Sequence, residues 1–274
     1  MSTFYNSERL KYNQMNYNND VELDNFCSQC LLVINAVGPS FKINDKIALH
    51  ALRNNCHYID IGGYGILRDL LKPYEKSIEA QKLCFIIGVG WMPGISGVFS
   101  KTIIETHLNS PENTNFNIYY GAVDNWSYSS TYDLAASSMG KTRSYVYSHG
   151  KEIQVSPFRY THHKFFPFIG HKKICMPSFD EQLTQLATSL KQIRKISTFI
   201  MLNDYISMGK FMFIKIFYKH NLNKATLMLQ DDYQRLVKKE NKWGSVICQV
   251  SKIEPERKIL LRYSPEKPIL VRQD

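Results

Sequence analysis

The sequence predicts an α/β protein in which a small parallel sheet is followed by an α+β domain. Three short apolar segments in the first part of the 274-residue chain each end in glycine or Gly-Pro. Buried parallel strands with tight turns at their carboxyl ends have this pattern. Helix-length segments separate the three, and alternating strands and helices imply right-handed crossovers and therefore parallel neighbours in one sheet.

The first strand is predicted within Leu31–Val37, where an apolar run ends in Asn-Ala-Val-Gly-Pro. A short helix is predicted before it, at Asp20–Phe26. After the Gly38-Pro39 turn, the spacing of apolar residues predicts a helix over Lys46–Arg53. A strand that leads through such a turn into a helix is the first half of a crossover unit.

The second strand is predicted at His57–Ile61, which leads into Gly62-Gly63. A longer helical segment follows from Ile66 to Lys82 and is interrupted at Pro73. This unit repeats the order of the first one, so its strand is expected to lie beside the first.

The third strand is predicted at Cys84–Gly90, and after Pro93-Gly94 a helix runs from Ser96 to about Leu108, with Ser96 as its N-cap. The N-terminus of such a helix favours an anion. The carboxyl ends of parallel strands meet at one edge of the sheet, where ligands bind in open α/β folds. The three turns therefore predict one ligand site at that edge.

The composition changes near Leu108, and aromatic, β-rich segments follow, so we place a domain boundary between residues 108 and 109. The second domain, residues 109–274, is predicted to mix strands and helices around its own sheet. Its predicted strands cover residues 117–123, 143–148, 152–156, 243–252 and 258–263, and its predicted helices cover residues 179–191 and 199–221. A hairpin turn at Ser148–Lys151 joins two of these strands.

The net charge of +10 is spread along the chain, without a motif that reads RNA or DNA, so we expect no nucleic-acid partner and favour a small anionic ligand. No apolar run approaches the length of a membrane-spanning helix, and the first 19 residues are polar, unlike a signal peptide. We therefore expect a cytoplasmic protein without a membrane partner. Of the six cysteines only Cys27 and Cys30 have the spacing of a metal or redox pair, and a zinc site needs a second pair, so we expect reduced structural thiols and no metal.

Three motifs together resemble the saccharopine dehydrogenase-like reductases. They are Leu32–Pro39, His57–Gly63 and Gly88–Gly97, in the order and at the spacing of that family. The resemblance implies an NADP or NAD cofactor on a Rossmann-like domain at residues 1–108, and a substrate and dimerisation domain at 109–274. It also implies reduction of an imine or carbonyl of a small-molecule substrate in amino-acid or peptide-derived metabolism.

The resemblance also implies which residues contact the cofactor. The first turn would lie along the pyrophosphate and the nicotinamide ribose, the second would line the nicotinamide side, and the third would close over the cofactor where the domains meet. The implied positions are Ala36, Val37, Gly38 and Pro39 in the first turn, Asp60, Gly62 and Gly63 in the second, and Gly90, Met92, Pro93 and Gly94 in the third.

Two residues are candidates for catalysis. Asp60 is interpreted either as a catalytic or ribose-binding acid or as a carboxylate that caps the next turn. Arg143 is interpreted either as the bidentate partner of a substrate carboxylate or as a solvated side chain.

The glycine-rich part of a Rossmann fold has no counterpart here. No Gly-x-Gly-x-x-Gly turn precedes Gly38, so we expect an incomplete sheet and either a truncated or a degenerate member of the reductase family. The alternative hypothesis is a non-catalytic binding or assembly protein that keeps the sheet but not the cofactor loop. Loss of the opening strand would expose a strand edge, which predicts a homo-oligomer and weak binding of dinucleotides.

Overall fold

A computed structural model describes residues 10–63, 65–107, 114–139, 144–149, 151–178, 181–189, 193–252, 257–263 and 269–273. The chain divides into two compact units. The first contains the described residues up to Val37 together with Ile43–Ile87, and the second contains Gly38–Lys42 and the residues from Gly88 onward. The third strand of the small sheet and the helix after it thus belong to different units.

The elements up to residue 107 alternate between helix and strand. They are α1 (Asp20–Cys27), β1 (Leu32–Asn35), α2 (Ser40–Ile43), α3 (Lys46–Arg53), β2 (His57–Asp60), α4 (Gly65–Leu71), a 3-10 turn (Lys72–Tyr74), α5 (Glu75–Ala80), β3 (Phe85–Ile87) and α6 (Ile95–His107).

The remaining elements form the body of the second unit. They are β4 (Thr114–Val123), α7 (Tyr128–Met139), β5 (Tyr145–Ser148), β6 (Lys151–Gln154), α8 (Pro157–Tyr160), β7 (His162–Phe166), β8 (His171–Pro177), α9 (Glu181–Ser189), β9 (Lys195–Leu202), α10 (Tyr205–Phe217), α11 (Leu222–Val237), β10 (Trp243–Lys252), β11 (Arg257–Tyr263) and β12 (Ile269–Gln273).

The first unit is built on a parallel sheet in the order β1-β2-β3. Strand β1 pairs with β2 so that Asn35 lies opposite Asp60, and β2 pairs with β3 so that Asp60 lies opposite Ile87. The predicted order and direction of the three strands are therefore confirmed, and so is the α/β class. The helices Asp20–Phe26 and Lys46–Arg53 are also found where the apolar spacing predicted them.

Among the described residues of the first unit, helices cover one face of this small sheet. Val33 and Tyr58 point into a core that also contains Leu23 of α1 and Ile47 of α3. The opposite face carries exposed apolar side chains, because strand residues alternate between faces. Its exposed members are Leu32, Ile34 and Ile86. A parallel sheet normally has helices on both faces.

The second unit is built on a nine-stranded mixed sheet, in the order β12-β11-β10-β4-β9-β5-β6, with β8 also paired to β9 and β7 paired to β8. Strands β4 and β9 are parallel at its centre, and the other pairs are antiparallel. The predicted strands at 243–252 and 258–263 pair as β10 and β11, and the predicted hairpin pairs as β5 and β6.

The helices of the second unit cover one face of its sheet. Ile103 of α6 and Ala187 of α9 pack against Phe116 and Ile118 of β4. Ala135, Ile214 and Leu229, from α7, α10 and α11, pack against Ile200 and Leu202 of β9. The other face holds an aromatic cluster in which the Tyr119 and Phe199 rings stack at 5.1 Å.

The prediction of one helix over residues 199–221 is wrong at its start. Phe199–Leu202 is the end of β9, a strand that is buried along almost its whole length. A continuous apolar run has no period that separates a central strand from a buried helix. The helix begins only at Tyr205, after Asp204, whose carboxylate accepts the backbone N–H of Ser207 at 2.8 Å.

No helix in the described part of the chain is both long enough and apolar enough to cross a bilayer.

An ion pair fastens α10 to α11. Both carboxylate oxygens of Asp204 accept from the guanidinium of Arg235, at 2.7 and 3.0 Å. Burial alone would raise the pKa of Asp204, but the hydrogen bonds from Arg235 and Ser207 lower it to about 2. Because the folded pKa lies below the ordinary value of 3.8, the stabilisation is present above about pH 4 and is lost as the pH falls towards 2.

We therefore expect Asp204→Asn to lower the free energy of unfolding at pH 7 by about 1.5–3 kcal/mol, since it weakens hydrogen bonds to a charged group. Asp231→Asn is the matched control, because Asp231 forms an exposed ion pair with Lys210 and should contribute less than about 1 kcal/mol. Urea unfolding between pH 2 and pH 7 measures both. Equal losses in the two variants, or an Asp204 effect that persists unchanged at pH 2, would contradict the assignment.

Candidate functional site

The second strand-end turn is organised by a buried carboxylate. Asp60 is only 2% exposed and accepts the backbone N–H groups of Gly62 at 2.9 Å and of Gly63 at 2.5 Å. It also accepts from the Tyr58 hydroxyl at 2.5 Å and from the Asn35 side-chain amide at 2.8 Å. These four donors occupy the acceptor sites of the carboxylate. Because two of them are backbone N–H groups of the turn, Asp60 caps this turn.

Tyr58 is held as a hydrogen-bond donor. Burial and the adjacent Asp60 carboxylate raise the pKa of Tyr58 far above its usual range, so the phenol stays protonated. The Asn35 amide nitrogen also lies 3.1 Å from the phenol oxygen. We call Asn35, Tyr58 and Asp60 the strand-end cluster.

The strand-end cluster also shapes the first turn. The side-chain oxygen of Asn35 accepts the backbone N–H of Val37 at 3.0 Å, and its backbone carbonyl accepts the N–H of Ile61 at 3.2 Å. Ala36 and Val37 then emerge exposed at the end of β1. The predicted residues Ala36, Val37, Gly62 and Gly63 are thus positioned by one cluster in the first unit.

The Gly38-Pro39 part of the first turn belongs to the second unit. There Asp133 of α7 accepts the backbone N–H groups of Ser40 at 2.9 Å and of Phe41 at 3.2 Å. Lys42 lies over the ring of Tyr132 at 4.4 Å. A carboxylate of this chain already occupies the donors that an anion would need at this turn.

Gly38 has a packing reason to be glycine. A Cβ at this position would lie 2.8 Å from the Cβ of Ser129, in the first turn of α7. The peptide bond between Gly38 and Pro39 is cis, as is that between Met92 and Pro93.

The third turn, with the predicted residues Gly90, Met92, Pro93 and Gly94, closes on itself. The N–H of Gly90 donates to the carbonyl of Pro93 at 3.1 Å, and the N–H of Ile95 donates to the carbonyl of Gly90 at 3.0 Å. Gly94 has a φ of +127°, which favours glycine, and its N–H donates to the side chain of Gln182 at 2.8 Å.

The prediction of Ser96 as the N-cap of α6 is wrong, whereas anion binding at this helix start stays a prediction. Ser96 lies inside the first turn of the helix and not at its N-cap, and its N–H donates to the carbonyl of Trp91 at 3.0 Å. The N–H groups of Gly97 and Val98 both donate to the carbonyl of Gly94. The donors at this helix start are therefore used within the chain.

The second catalytic candidate, Arg143, lies outside the described residues, so its role stays a prediction.

The described part of the chain contains no group of three or more His, Cys, Asp or Glu side chains that could hold a metal ion. All six cysteines are free thiols, and burial raises the pKa of Cys27 to about 11 and that of Cys175 to about 12.

Sequence reasoning missed Asn35, Tyr58 and Gln182, and it did not indicate that Asp133 caps the first turn. A signal existed for Asn35, because it ends β1 as Asp60 ends β2, and polar residues at paired strand ends are expected to meet. Asp133 and Gln182 act across 93 and 88 positions of sequence, which no local pattern indicates.

The comparisons with known proteins support a relationship at the level of the fold. No family model matches the sequence, and no curated protein matches it. Among 26 matching chains of solved structures is the apo saccharopine dehydrogenase (L-Glu forming) from Saccharomyces cerevisiae. The match has a TM-score of 0.58, covers 91% of this chain and 74% of that chain, and has 14% sequence identity. The chain has a Rossmann-type α/β fold like that of this oxidoreductase.

The packing at Gly38 predicts a double-mutant result. We expect Gly38→Ala to lower the free energy of unfolding by about 1–3 kcal/mol, because the new Cβ overlaps Ser129. In a Ser129→Gly background the same change should cost much less, with a coupling energy of about 1–2 kcal/mol. Thermal unfolding of the four proteins of the cycle measures it. A coupling near zero would mean that Gly38 is glycine for some reason other than its contact with α7.

Proposed function

We propose that this chain is an NAD(P)H-dependent oxidoreductase that reduces an imine or carbonyl of a small-molecule substrate in amino-acid or peptide-derived metabolism. One observation carries the proposal: the likeness to saccharopine dehydrogenase extends over 91% of the chain and so includes both sheets. The three sequence motifs that resemble the family's reductases supply the finer assignment of cofactor and reaction.

The nicotinamide end of the cofactor is the part that the first unit can receive. An uncharged ring needs apolar surface and backbone polar groups more than it needs a cluster of free N–H donors. Exposed Ala36 and Val37 at the carboxyl end of β1 offer the apolar surface, beside the turn that Asp60 holds. Asp60 has the role of a positioning residue in this proposal.

The described turns offer few hydrogen-bond donors to the pyrophosphate of the cofactor. The backbone N–H groups of Ser40 and Phe41 already donate to the carboxylate of Asp133. Those of Ile95 and Ser96 already donate to backbone carbonyls of the chain. Each absent charge-assisted bond lowers affinity by about 1.5–3 kcal/mol, so two of them weaken binding by at least about a hundredfold. We therefore expect this chain to bind NADPH in the high micromolar range or more weakly.

A non-catalytic binding or assembly protein is the second candidate, and a specific observation favours it. Strand β1 ends the order of the small sheet, and one face of that sheet exposes Leu32, Ile34 and Ile86. An unpaired strand edge next to an apolar face suits association with a second copy of the chain. This supports a homo-oligomer whether or not the cofactor binds.

A pair of matched variants tests the nicotinamide assignment. We expect Val37→Asp to weaken NADPH binding by at least about tenfold, because it places a carboxylate on the apolar surface proposed for the ring. Val21→Asp makes the same change at an exposed valine of α1 and should leave binding unchanged. Calorimetric titration of the three proteins measures the dissociation constants.

Two measurements distinguish the reductase from the assembly protein: the consumption of NADPH and the binding of NADPH by the wild-type protein. NADPH consumption in mixtures of 2-oxo acids and amino acids, which form imines in solution, supports the reductase and should be slower in Val37→Asp. Wild-type protein that binds no NADPH at millimolar concentration would overturn the reductase proposal and leave the assembly protein. Equal weakening by both variants would contradict the placement of the ring.

A further inference from the structure

The outward face of α10 is apolar and exposed. Ile216 and Phe217 are 66% and 65% exposed, and Ile206 and Phe213 are also exposed on this side. Their spacing of three, four and seven residues places them along one stripe of the helix. The rings of Phe213 and Phe217 contact each other, with centroids 4.5 Å apart. We call these four residues the α10 apolar face.

The α10 apolar face is not explained by packing within the described part of the chain. The inward side of α10 already supplies Phe211 and Ile214 to the core. A helix on the surface normally carries polar side chains on its outer side, and a contiguous exposed apolar patch marks an interaction surface.

Lysines supply all of the formal charge in the sequence from α10 to the middle of α11, and carboxylates flank this stretch at Asp204 and Asp231. Residues 205–230 contain four lysines and no aspartate or glutamate. Lys210 is paired with Asp231 at 2.8 Å, and Lys215 lies over the ring of Phe211 at 5.1 Å. Lys219 and Lys224 are exposed where α10 leads into α11. The surface thus combines apolar side chains with positive charge at one end.

We propose that the α10 apolar face, together with Lys219 and Lys224, docks on an anionic lipid surface. Helices that lie in the membrane interface bury aromatic and aliphatic side chains at the headgroup boundary while lysines meet anionic headgroups. A second copy of the chain is the less suitable occupant, because a symmetric contact would bring two sets of these lysines to one interface. The proposal is independent of the oxidoreductase assignment and differs from a membrane span.

Vesicle sedimentation with the full chain tests the proposal. We expect binding to vesicles with about 30 mol % phosphatidylserine, little binding to pure phosphatidylcholine, and release by added salt. Ile216→Ser/Phe217→Ser should lower the partition constant by at least about tenfold, because apolar surface is lost. Lys219→Glu/Lys224→Glu should lower it by about tenfold or more, because attraction becomes repulsion.

Ile153→Ser is the matched control, since Ile153 is an exposed isoleucine on β6, at the end of the strand order and outside the α10 apolar face, and its loss should leave partitioning unchanged. Circular dichroism checks that each variant is folded. If the double serine variant does not fold, the partitioning of Lys219→Glu/Lys224→Glu and the salt dependence of wild-type binding test the proposal in its place. Equal binding to both vesicle types, or equal loss in Ile153→Ser, would overturn the proposal. So would a wild-type dimer that the serine variant dissociates, without vesicle binding, since the occupant would then be a second copy.

Discussion

The buried carboxylate of Asp60 holds the first unit together at the edge where ligands are expected. The carboxylate accepts hydrogen bonds from the side-chain amide of Asn35 on β1 and from the hydroxyl of Tyr58 on its own strand. It also accepts a backbone N–H of the turn that follows and so caps that turn. A buried charge is tolerated only where several donors surround it, and here four do. Removing one donor would leave the others around a poorly compensated charge, so the cluster fixes the geometry of both turns at once.

This arrangement limits the chemistry that the turns can perform. Dinucleotide-binding folds rely on backbone N–H groups that point at phosphate, and the turns here use many of those groups internally. Asp133 takes the place of an anion at Ser40 and Phe41, and the carbonyls of Gly90 and Trp91 do so at the start of α6. What is left exposed at the end of β1 is apolar, which suits a nicotinamide ring and not a pyrophosphate.

Much of the fold could be predicted from the sequence because local patterns carried it. The Gly-Pro and Gly-Gly turns marked the carboxyl ends of β1 and β2, and the apolar spacing of Lys46–Arg53 marked α3 at its observed bounds. The central strand β9 was not predictable in the same way, because a strand buried on both faces has no period. The internal capping by Asp133 and Gln182 was hidden because it depends on contacts distant in sequence.

The cofactor proposal rests on two features of these turns: exposed apolar surface at Ala36 and Val37 for the nicotinamide half, and backbone donors at Ser40, Phe41, Ile95 and Ser96 that are already used within the chain. The most direct test compares the affinities of reduced nicotinamide mononucleotide and NADPH for the full chain, by calorimetry under the same conditions. We expect dissociation constants within about tenfold of each other, because the adenosine and pyrophosphate add few bonds. NADPH that binds more than about a hundredfold tighter than the mononucleotide would contradict it.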